Sequence, residues 1–245
     1  MTLWIARWIA CWVGLALLAC KTPMPPASAI VTQHKLAGSI LRGPGAEYCA
    51  PLNGIGEMVG KKNYSGAEAA VDQVIAKFDV YVAASNGIAV TAPSQLELDQ
   101  IRATSAQPDR LVPVDWCYRD ALHVKAFLHT DRGDFSGALP ILDVEIRVAP
   151  TAADPLVERG YALNRLGRPA EGKDSYERAL ALAEKFEYSA PLRPIALRGL
   201  GFSLTDLGDF EGAKAAYEQS LALDPDNELA RKELSYIEQQ RAKAR

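Results

Sequence analysis

The sequence predicts an all-α fold, a solenoid of stacked helix–turn–helix repeats. Three glycines carry the pattern: Gly133, Gly167 and Gly208. The first two are 34 residues apart and the last two are 41 apart, which is one period plus seven inserted residues. The same types of residue return at fixed offsets from each glycine. A recurrence of this kind indicates a repeat array, in which neighbouring units bury one another's apolar faces.

The helix expected after each glycine has a small residue followed by large apolar ones. The small residue stands five positions after the glycine, and the large ones stand nine and thirteen positions after it. Steps of four residues place all of them on one helix face, with the small residue where two helices approach closely. The sets are Ala138, Gly172 and Ala213, then Leu142, Tyr176 and Tyr217, then Ile146, Leu180 and Leu221.

A second helix is expected before each glycine. Small residues stand seven positions upstream, at Ala126, Gly160 and Gly201. In the last unit Pro225 ends the second helix, because proline cannot continue a helix. Each unit is therefore expected to be a helix, a turn and a second helix.

The last unit, at residues 200–225, resembles a tetratricopeptide repeat. Residues 119–152 and 153–186 resemble the same repeat with more departures, such as Lys125 in place of a leucine. The residues that carry the resemblance in the last unit are Leu200, Gly201, Gly208, Asp209, Phe210, Ala213, Tyr217, Leu221, Asp224 and Pro225. The resemblance implies three repeats, at 119–152, 153–186 and 194–227, in a tetratricopeptide-type α-solenoid whose partner is a protein or peptide.

A less regular N-terminal lobe is expected at 48–118, with one degenerate helical repeat. Residues 63–67 resemble the start of the second helix of a repeat, and Lys62 stands where the glycine would be. Val71, Val74 and Ile75 follow at the offsets of that helix. We therefore expect a fourth, incomplete unit in front of the three good ones.

Residues 80–92 carry a hairpin signal. Two runs rich in β-prone residues, 80–84 and 88–91, flank the turn sequence Ser85-Asn86-Gly87. A degenerate helix is the alternative, because the surrounding segments are expected to be helical.

Residues 228–245 predict a capping helix over the open end of the array. Leu229, Leu234 and Ile237 form an apolar stripe, and charged residues such as Glu233 fill other positions. Without such a cap, the last repeat would leave an apolar face exposed. A frayed tail is the alternative for the last five residues.

The N-terminus resembles that of an exported bacterial lipoprotein. Residues 8–19 form an apolar run that is long enough for a signal-peptide core and too short for a comfortable bilayer span. We expect a signal peptide at 1–19, lipid attachment at Cys20 and a flexible tether at 20–47. The protein would then face the periplasm, anchored in the outer membrane. A soluble periplasmic protein and an uncleaved anchor in the inner membrane are the alternatives.

The cysteine count is consistent with an oxidising compartment. Of the four cysteines, Cys11 lies in the expected signal peptide and Cys20 at the lipidation position, which leaves Cys49 and Cys117. We expect these two to form a disulfide. Two buried free thiols are the alternative, since cysteine is often buried for packing alone.

Charge and motifs exclude several functions. The formal net charge is −3 and lysine and arginine are dispersed, which argues against binding to nucleic acid. Neither a Gly-x-Ser-x-Gly nor a His-Glu-x-x-His motif is present. His123 and His129 would lie about 240° apart around one helix and could not share a metal. We expect no enzyme, metal, cofactor or small-molecule substrate; an unrecognised active site in the N-terminal lobe is a minor alternative.

An aromatic residue stands six positions before each glycine: Phe127, Tyr161 and Phe202. The family resemblance implies that this position lines the concave groove, so we expect the three rings to contact a partner. Packing between helices is the alternative role for the rings. The polar rim of the expected groove is formed by His123, Asn164, Arg165 and Arg198.

These expectations describe a protein–protein interaction module of the bacterial cell envelope, which binds a partner segment in the groove of the array. The alternative is a structural assembly factor or accessory subunit of an envelope complex. Such a protein would use the convex face or the capping helix in place of the groove.

Overall fold

The computed structural model describes residues 41–243. Over these residues the fold is all-α, as the repeat pattern predicts, apart from two strands of three residues each. The expected signal peptide at 1–19, Cys20 and the first part of the tether, 20–40, lie outside the described residues. Residues 244–245, at the end of the capping helix, lie outside them as well.

Ten α-helices occur in the described part of the chain. The N-terminal lobe contains a 3₁₀ helix (Ala46–Leu52), α1 (Ile55–Gly60), α2 (Tyr64–Ala84), β1 (Ile88–Val90), α3 (Gln95–Thr104), a 3₁₀ helix (Pro108–Arg110) and β2 (Leu111–Pro113). The array contains α4 (Trp116–Asp131), α5 (Phe135–Val148), α6 (Asp154–Arg165), α7 (Pro169–Lys185), a 3₁₀ helix (Ala190–Leu192), α8 (Arg193–Asp206), α9 (Phe210–Leu223) and α10 (Glu228–Lys243). Among these helices, none is both long and apolar enough to cross a membrane.

The three repeat glycines form the turns within the pairs α4–α5, α6–α7 and α8–α9. Their φ angles are +78° at Gly133, +72° at Gly167 and +80° at Gly208. A side chain at these positions would be strained, which explains why glycine recurs there. Asp134 then caps α5 by accepting a hydrogen bond of 2.9 Å from the Gly137 amide, and Asp209 makes the equivalent bond in the third unit. In the second unit Pro169 begins α7, where its fixed φ suits a first helical position.

In the second and third repeats, the small residue of the first helix lies directly against a buried tyrosine of the second helix. A Cβ atom added to Gly160 would lie 2.7 Å from the Tyr176 ring, and one added to Gly201 would lie 2.8 Å from the Tyr217 ring. Both tyrosines are almost completely buried. The alternation of small and large residues in the sequence therefore sets the distance between paired helices.

Helix α10 covers the end of the array, as expected for a cap. Its residues Ala230 and Ile237 are fully buried and pack with Leu204 and Tyr217 of the third repeat. Glu233 differs from the expected pattern, because its side chain is also buried.

The degenerate repeat of the N-terminal lobe keeps its turn and its second helix. Lys62 has a φ of +55°, so a lysine adopts here the left-handed conformation that glycine has in the other turns. The Asn63 side chain caps α2 by accepting a hydrogen bond from the Gly66 amide, and Val71 and Val74 are fully buried. The first helix of the unit is reduced to the six residues of α1. Helix α2 packs against α4 and so continues the stack.

The hairpin predicted at 80–92 is wrong. Residues 80–84 are the last turn of α2, whose buried face includes Phe78. The chain then turns at Asn86, which has a φ of +45°. Strand β1 pairs in parallel with β2 and has no antiparallel partner at 80–84. The alternative of a degenerate helix therefore holds for the first half of this segment and fails for the second.

A disulfide joins Cys49 of the first 3₁₀ helix to Cys117 in the first turn of α4. Asp115, which caps α4, accepts hydrogen bonds of 3.0 Å from the amides of Cys117 and Gly43. The disulfide and the two hydrogen bonds hold the N-terminal segment on the beginning of the array.

Candidate functional site

An open pocket of about 240 Å³ lies between the first and second repeats. Three elements form it: the last turns of α4, the turn that begins α5, and the second half of α6. The lining residues are Phe127, Thr130, Asp131, Gly133, Phe135, Tyr161 and Arg165. The pocket therefore combines three aromatic rings with one cationic and one anionic side chain.

The aromatic rings have different roles in this pocket. Phe127 is buried, with 7% of its surface exposed, whereas Phe135 and Tyr161 are half-buried. The rings of Phe135 and Tyr161 meet edge to face, with centroids 5.8 Å apart and an angle of 85° between their planes. This is a favourable aromatic arrangement, and it connects the second helix of one repeat to the first helix of the next.

Arg165 lies at one side of the pocket, over the same two rings. Its guanidinium carbon is 4.8 Å from the centroid of the Phe135 ring and 5.9 Å from that of Tyr161. The guanidinium also donates a hydrogen bond of 3.1 Å to the Tyr161 hydroxyl, one turn earlier on α6. Two cation–π contacts and a hydrogen bond therefore hold an exposed cation beside the apolar surface.

The opposite wall is supported by the N-terminal lobe. Asp131 accepts a hydrogen bond from the Tyr64 hydroxyl at the start of α2, and this bond raises the pKa of Tyr64. Its neighbour Arg132 lies over the Tyr64 ring and pairs with Glu68 at 2.7 Å. Helix α2 thus fixes the end of α4 from which Thr130 and Asp131 face the pocket.

The structure brings together only part of the expected groove. Phe127, Tyr161 and Arg165 lie in one pocket, while Phe202 is half-buried on α8 and does not line it. Phe135 is a pocket residue that the sequence reasoning missed. The available signal was its position two residues after Gly133, where Phe210 stands at the same offset from Gly208.

The expected polar rim has to be corrected, because His123, Asn164 and Arg198 are buried. Asn164 accepts a hydrogen bond of 3.0 Å from Ser203 of the next repeat. Arg198 pairs with Asp224 at 3.0 Å. Both side chains face neighbouring helices of the stack and are too deeply buried to contact a partner.

His123 belongs to a buried network of charged groups between the first two repeats. Arg119 Nε lies 2.7 Å from a Glu145 oxygen, and His123 Nδ1 lies 3.0 Å from the same oxygen. The guanidinium of Arg119 also pairs with Asp154. All four side chains are at least nine-tenths buried. Charged groups therefore occupy a part of the core where apolar side chains would normally pack.

This network is not suited to hold a metal. Ligand atoms of His123, Glu145 and Asp154 lie within 4.8 Å of one another, a spacing that could suit a cation. The guanidinium of Arg119, however, lies between the two carboxylates and compensates their charge. The arrangement is therefore an ion-pair network that connects helices α4, α5 and α6.

The inserted segment between the second and third repeats covers this network. Tyr188 packs edge to face on Trp116, with ring centroids 5.1 Å apart. Trp116 in turn lies under the guanidinium of Arg119, at 5.3 Å. Ser189 accepts a hydrogen bond from the Ala153 amide and donates one to the Thr151 carbonyl, which fixes the segment in place.

Two carboxyl groups at this interface have shifted pKa values of opposite sign. Burial alone would raise the pKa of Glu145, but the charges of His123 and Arg119 outweigh burial and hold it below its usual value. Burial raises the pKa of Glu158 to about 7, with His123 opposing the shift and Glu145 adding to it. Burial, with the charge of Glu158 adding to it, also raises the pKa of the Tyr176 hydroxyl on α7. Glu158 therefore becomes charged near neutral pH inside the fold.

Replacing Glu158 with glutamine should change how stability depends on pH. The folded-state pKa of about 7 lies above the unfolded value of about 4.3, so the wild-type protein loses stability as pH rises through this window. The glutamine cannot ionise, so the variant should be more stable than wild type above pH 7, by up to about 3 kcal/mol, with little difference below pH 4.5. Denaturant unfolding across this pH range would measure the difference.

Glu177→Gln, on the exposed side of α7, is the matched control and should leave the pH profile unchanged. Parallel stability profiles for wild type and Glu158→Gln would show that Glu158 does not titrate within the fold in this range.

The stacked helix pairs define a helical-repeat protein with an open aromatic pocket between its first two units. More particularly, residues 151–226, which contain the second and third repeats, match the family described as tetratricopeptide repeat. Arrays of this kind are interaction modules that use extended curved surfaces. No curated protein matches the sequence.

Several solved structures are similar to this chain. A crystal structure of MamA has 16% sequence identity, covers 81% of this chain and 84% of its own, and has a TM-score of 0.55. The crystal structure of PilW, a type IV pilus biogenesis factor, has 20% identity, covers 80% and 70%, and has a TM-score of 0.55. The first tetratricopeptide repeat domain of human RPAP3 has 25% identity over 51% of this chain and 93% of its own, with a TM-score of 0.47. The similarity to MamA and PilW supports the fold alone.

Proposed function

We propose that this protein is an interaction module of the bacterial cell envelope that binds a segment of a partner protein in the pocket between its first two repeats. The observation that carries the proposal is the open pocket lined by Phe127, Phe135 and Tyr161. Aromatic side chains supply large contact area at low cost in conformational entropy and are enriched where binding energy concentrates.

The size and support of the pocket favour a peptide side chain as its occupant. At about 240 Å³ it is smaller than the roughly 300–1,000 Å³ typical of small-molecule sites. Its walls are fixed in the free protein by the left-handed turn at Gly133 and by the bond from Tyr64 to Asp131. A partner would therefore find a preformed surface, which lowers the entropy lost on binding.

The envelope setting rests on the N-terminal sequence and the disulfide. An apolar run at 8–19 followed by Cys20 is typical of a lipoprotein signal, and a disulfide between Cys49 and Cys117 suits an oxidising compartment. Metabolic labelling with a fatty acid should mark wild-type protein and not Cys20→Ser. A wild-type protein without label would remove the lipid anchor from the proposal.

Peptide-library display on the purified protein tests the binding site itself. Wild-type protein should enrich a family of related peptides. Tyr161→Ala should weaken binding of a selected peptide about 10- to 30-fold, because it removes an aromatic wall of the pocket. Affinities would be measured by calorimetry or fluorescence anisotropy, after thermal melting has shown that each variant unfolds cooperatively.

Phe202→Ala is the matched control, because Phe202 occupies the same repeat position on α8 but does not line the pocket. It should bind the selected peptide as wild type does. Equal losses of affinity in both variants would show that the peptide binds along the whole array and not in this pocket alone. An unchanged affinity in Tyr161→Ala would exclude this pocket as the site.

A further inference from the structure

The charge of Arg165 is not neutralised by a carboxylate of the described residues. On either side of it in the sequence, Arg159 pairs with Asp143 at 2.8 Å and Arg168 pairs with Glu171 at 2.6 Å. In residues 41–243, the polar contact of the Arg165 guanidinium is its bond to the Tyr161 hydroxyl, a neutral group. Arg165 therefore presents a held but uncompensated cation beside the aromatic surface.

The geometry leaves donors of Arg165 available to a ligand. A guanidinium carries five N–H donors in one plane, and Tyr161 takes one of them. The contact of the guanidinium with the Phe135 ring, at 4.8 Å, uses no hydrogen-bond donor of Arg165. The edge of an arginine held in this way is suited to bind a carboxylate through two parallel hydrogen bonds.

The acidic residue of the pocket does not satisfy this charge. Asp131 forms its hydrogen bond with Tyr64 on the other wall and lies next to Arg132 in the chain. The pocket therefore has a positive side at Arg165 and an apolar interior formed by three rings. Its chemistry is complementary to an apolar side chain with a carboxylate close by.

We propose that the pocket selects internal peptide segments in which an apolar side chain stands within two residues of an aspartate or glutamate. The apolar side chain enters between Phe127, Phe135 and Tyr161, and the carboxylate binds the guanidinium edge of Arg165. This inference rests on the proposed function, since it names the class of segment that the same pocket binds.

Charge reversal in the display experiment tests the inference. The probe is a library of random peptides displayed inside a carrier loop, so a free C-terminal carboxylate cannot produce the preference. Wild-type protein should enrich aspartate or glutamate near an apolar residue. Arg165→Glu should enrich lysine or arginine at that position, because the sign of the pocket edge is reversed. A peptide selected by wild type should bind Arg165→Gln about 10-fold more weakly, and replacing its acidic residue with the amide should cause a similar loss.

Arg178→Glu is the matched control, because it changes the net charge equally at an exposed position of α7 outside the pocket. It should leave the enriched sequences unchanged. Loss of binding in Tyr161→Ala together with an unchanged preference in Arg165→Glu would overturn this inference and leave the proposed function standing. A library from which wild-type protein enriches nothing would overturn both.

Discussion

Replacing Glu145 with alanine is expected to lower the free energy of unfolding by about 3–5 kcal/mol. Glu145 is fully buried, and one of its carboxylate oxygens lies 2.7 Å from Arg119 Nε and 3.0 Å from His123 Nδ1. Without its carboxylate, the Arg119 guanidinium stays buried and keeps two ion-pair partners, the buried Asp154 and, at 3.3 Å, the partly exposed Asp120. Removing one partner of a buried ion pair destabilises a protein by more than the intact pair stabilises it. The charge that remains is shielded from water and has lost an opposite charge. Urea denaturation at neutral pH would measure the change.

Asp143→Ala provides a control on the same helix. Asp143 also pairs with an arginine, Arg159, at 2.8 Å, but its side chain is 45% exposed. Water already screens such a pair, so the loss should stay below about 1 kcal/mol. Similar losses of stability for the two substitutions would contradict the claim that the buried network contributes more to folding than an exposed ion pair does.

Replacing Cys49 and Cys117 together with serine should lower the free energy of unfolding by about 4 kcal/mol. The disulfide joins residues 68 positions apart, and closing a loop of this length restrains the unfolded chain by about that amount in the chain-entropy model. Adding a reductant should destabilise the wild-type protein by a similar amount and leave the double variant unaffected. Denaturant unfolding with and without dithiothreitol provides the measurement.

Loss of the disulfide should loosen the segment around Cys49 before the rest of the molecule. Segment 43–49 is held on α4 by the disulfide and by the Asp115 hydrogen bonds, so its amides should lose hydrogen-exchange protection first. Two free thiols titrated in the denatured wild-type protein, or a double variant as stable as wild type, would contradict the prediction.

The repeat array could be predicted from the sequence because its geometry depends on residues that few others can replace. The turns need a left-handed φ, and glycine supplies it at Gly133, Gly167 and Gly208. Close contact of helices needs a small residue opposite a large one, as at Gly160 and Tyr176. Such requirements recur at fixed offsets and remain visible in a single sequence.

The N-terminal strands could not be predicted in the same way. Strands β1 and β2 have three residues each, too few to show a period of two. Their pairing also joins segments that are separated by α3. The turn sequence Ser85-Asn86-Gly87 ends a helix here, and its signal is the same as that of a hairpin.

The candidate site was predicted in part for a related reason. An offset from a repeat glycine places a residue on a helix, but it does not show which neighbour that residue meets. Tyr161 and Arg165 face the open pocket, whereas His123 and Asn164 meet partners on adjacent helices and are buried. Phe135 enters the pocket from the turn of the preceding unit, so its role depends on how two repeats are juxtaposed.

The seven extra residues before the third repeat have a consequence for protein engineering. Trimming them would give every unit the same 34-residue length and bring the chain closer to an ideal consensus. The same deletion would remove the ring contact between Tyr188 and Trp116 and the two hydrogen bonds of Ser189 with Thr151 and Ala153. Solvent could then reach the Arg119 guanidinium, which lies over Trp116. In this chain, greater sequence regularity and greater stability are therefore opposing design goals.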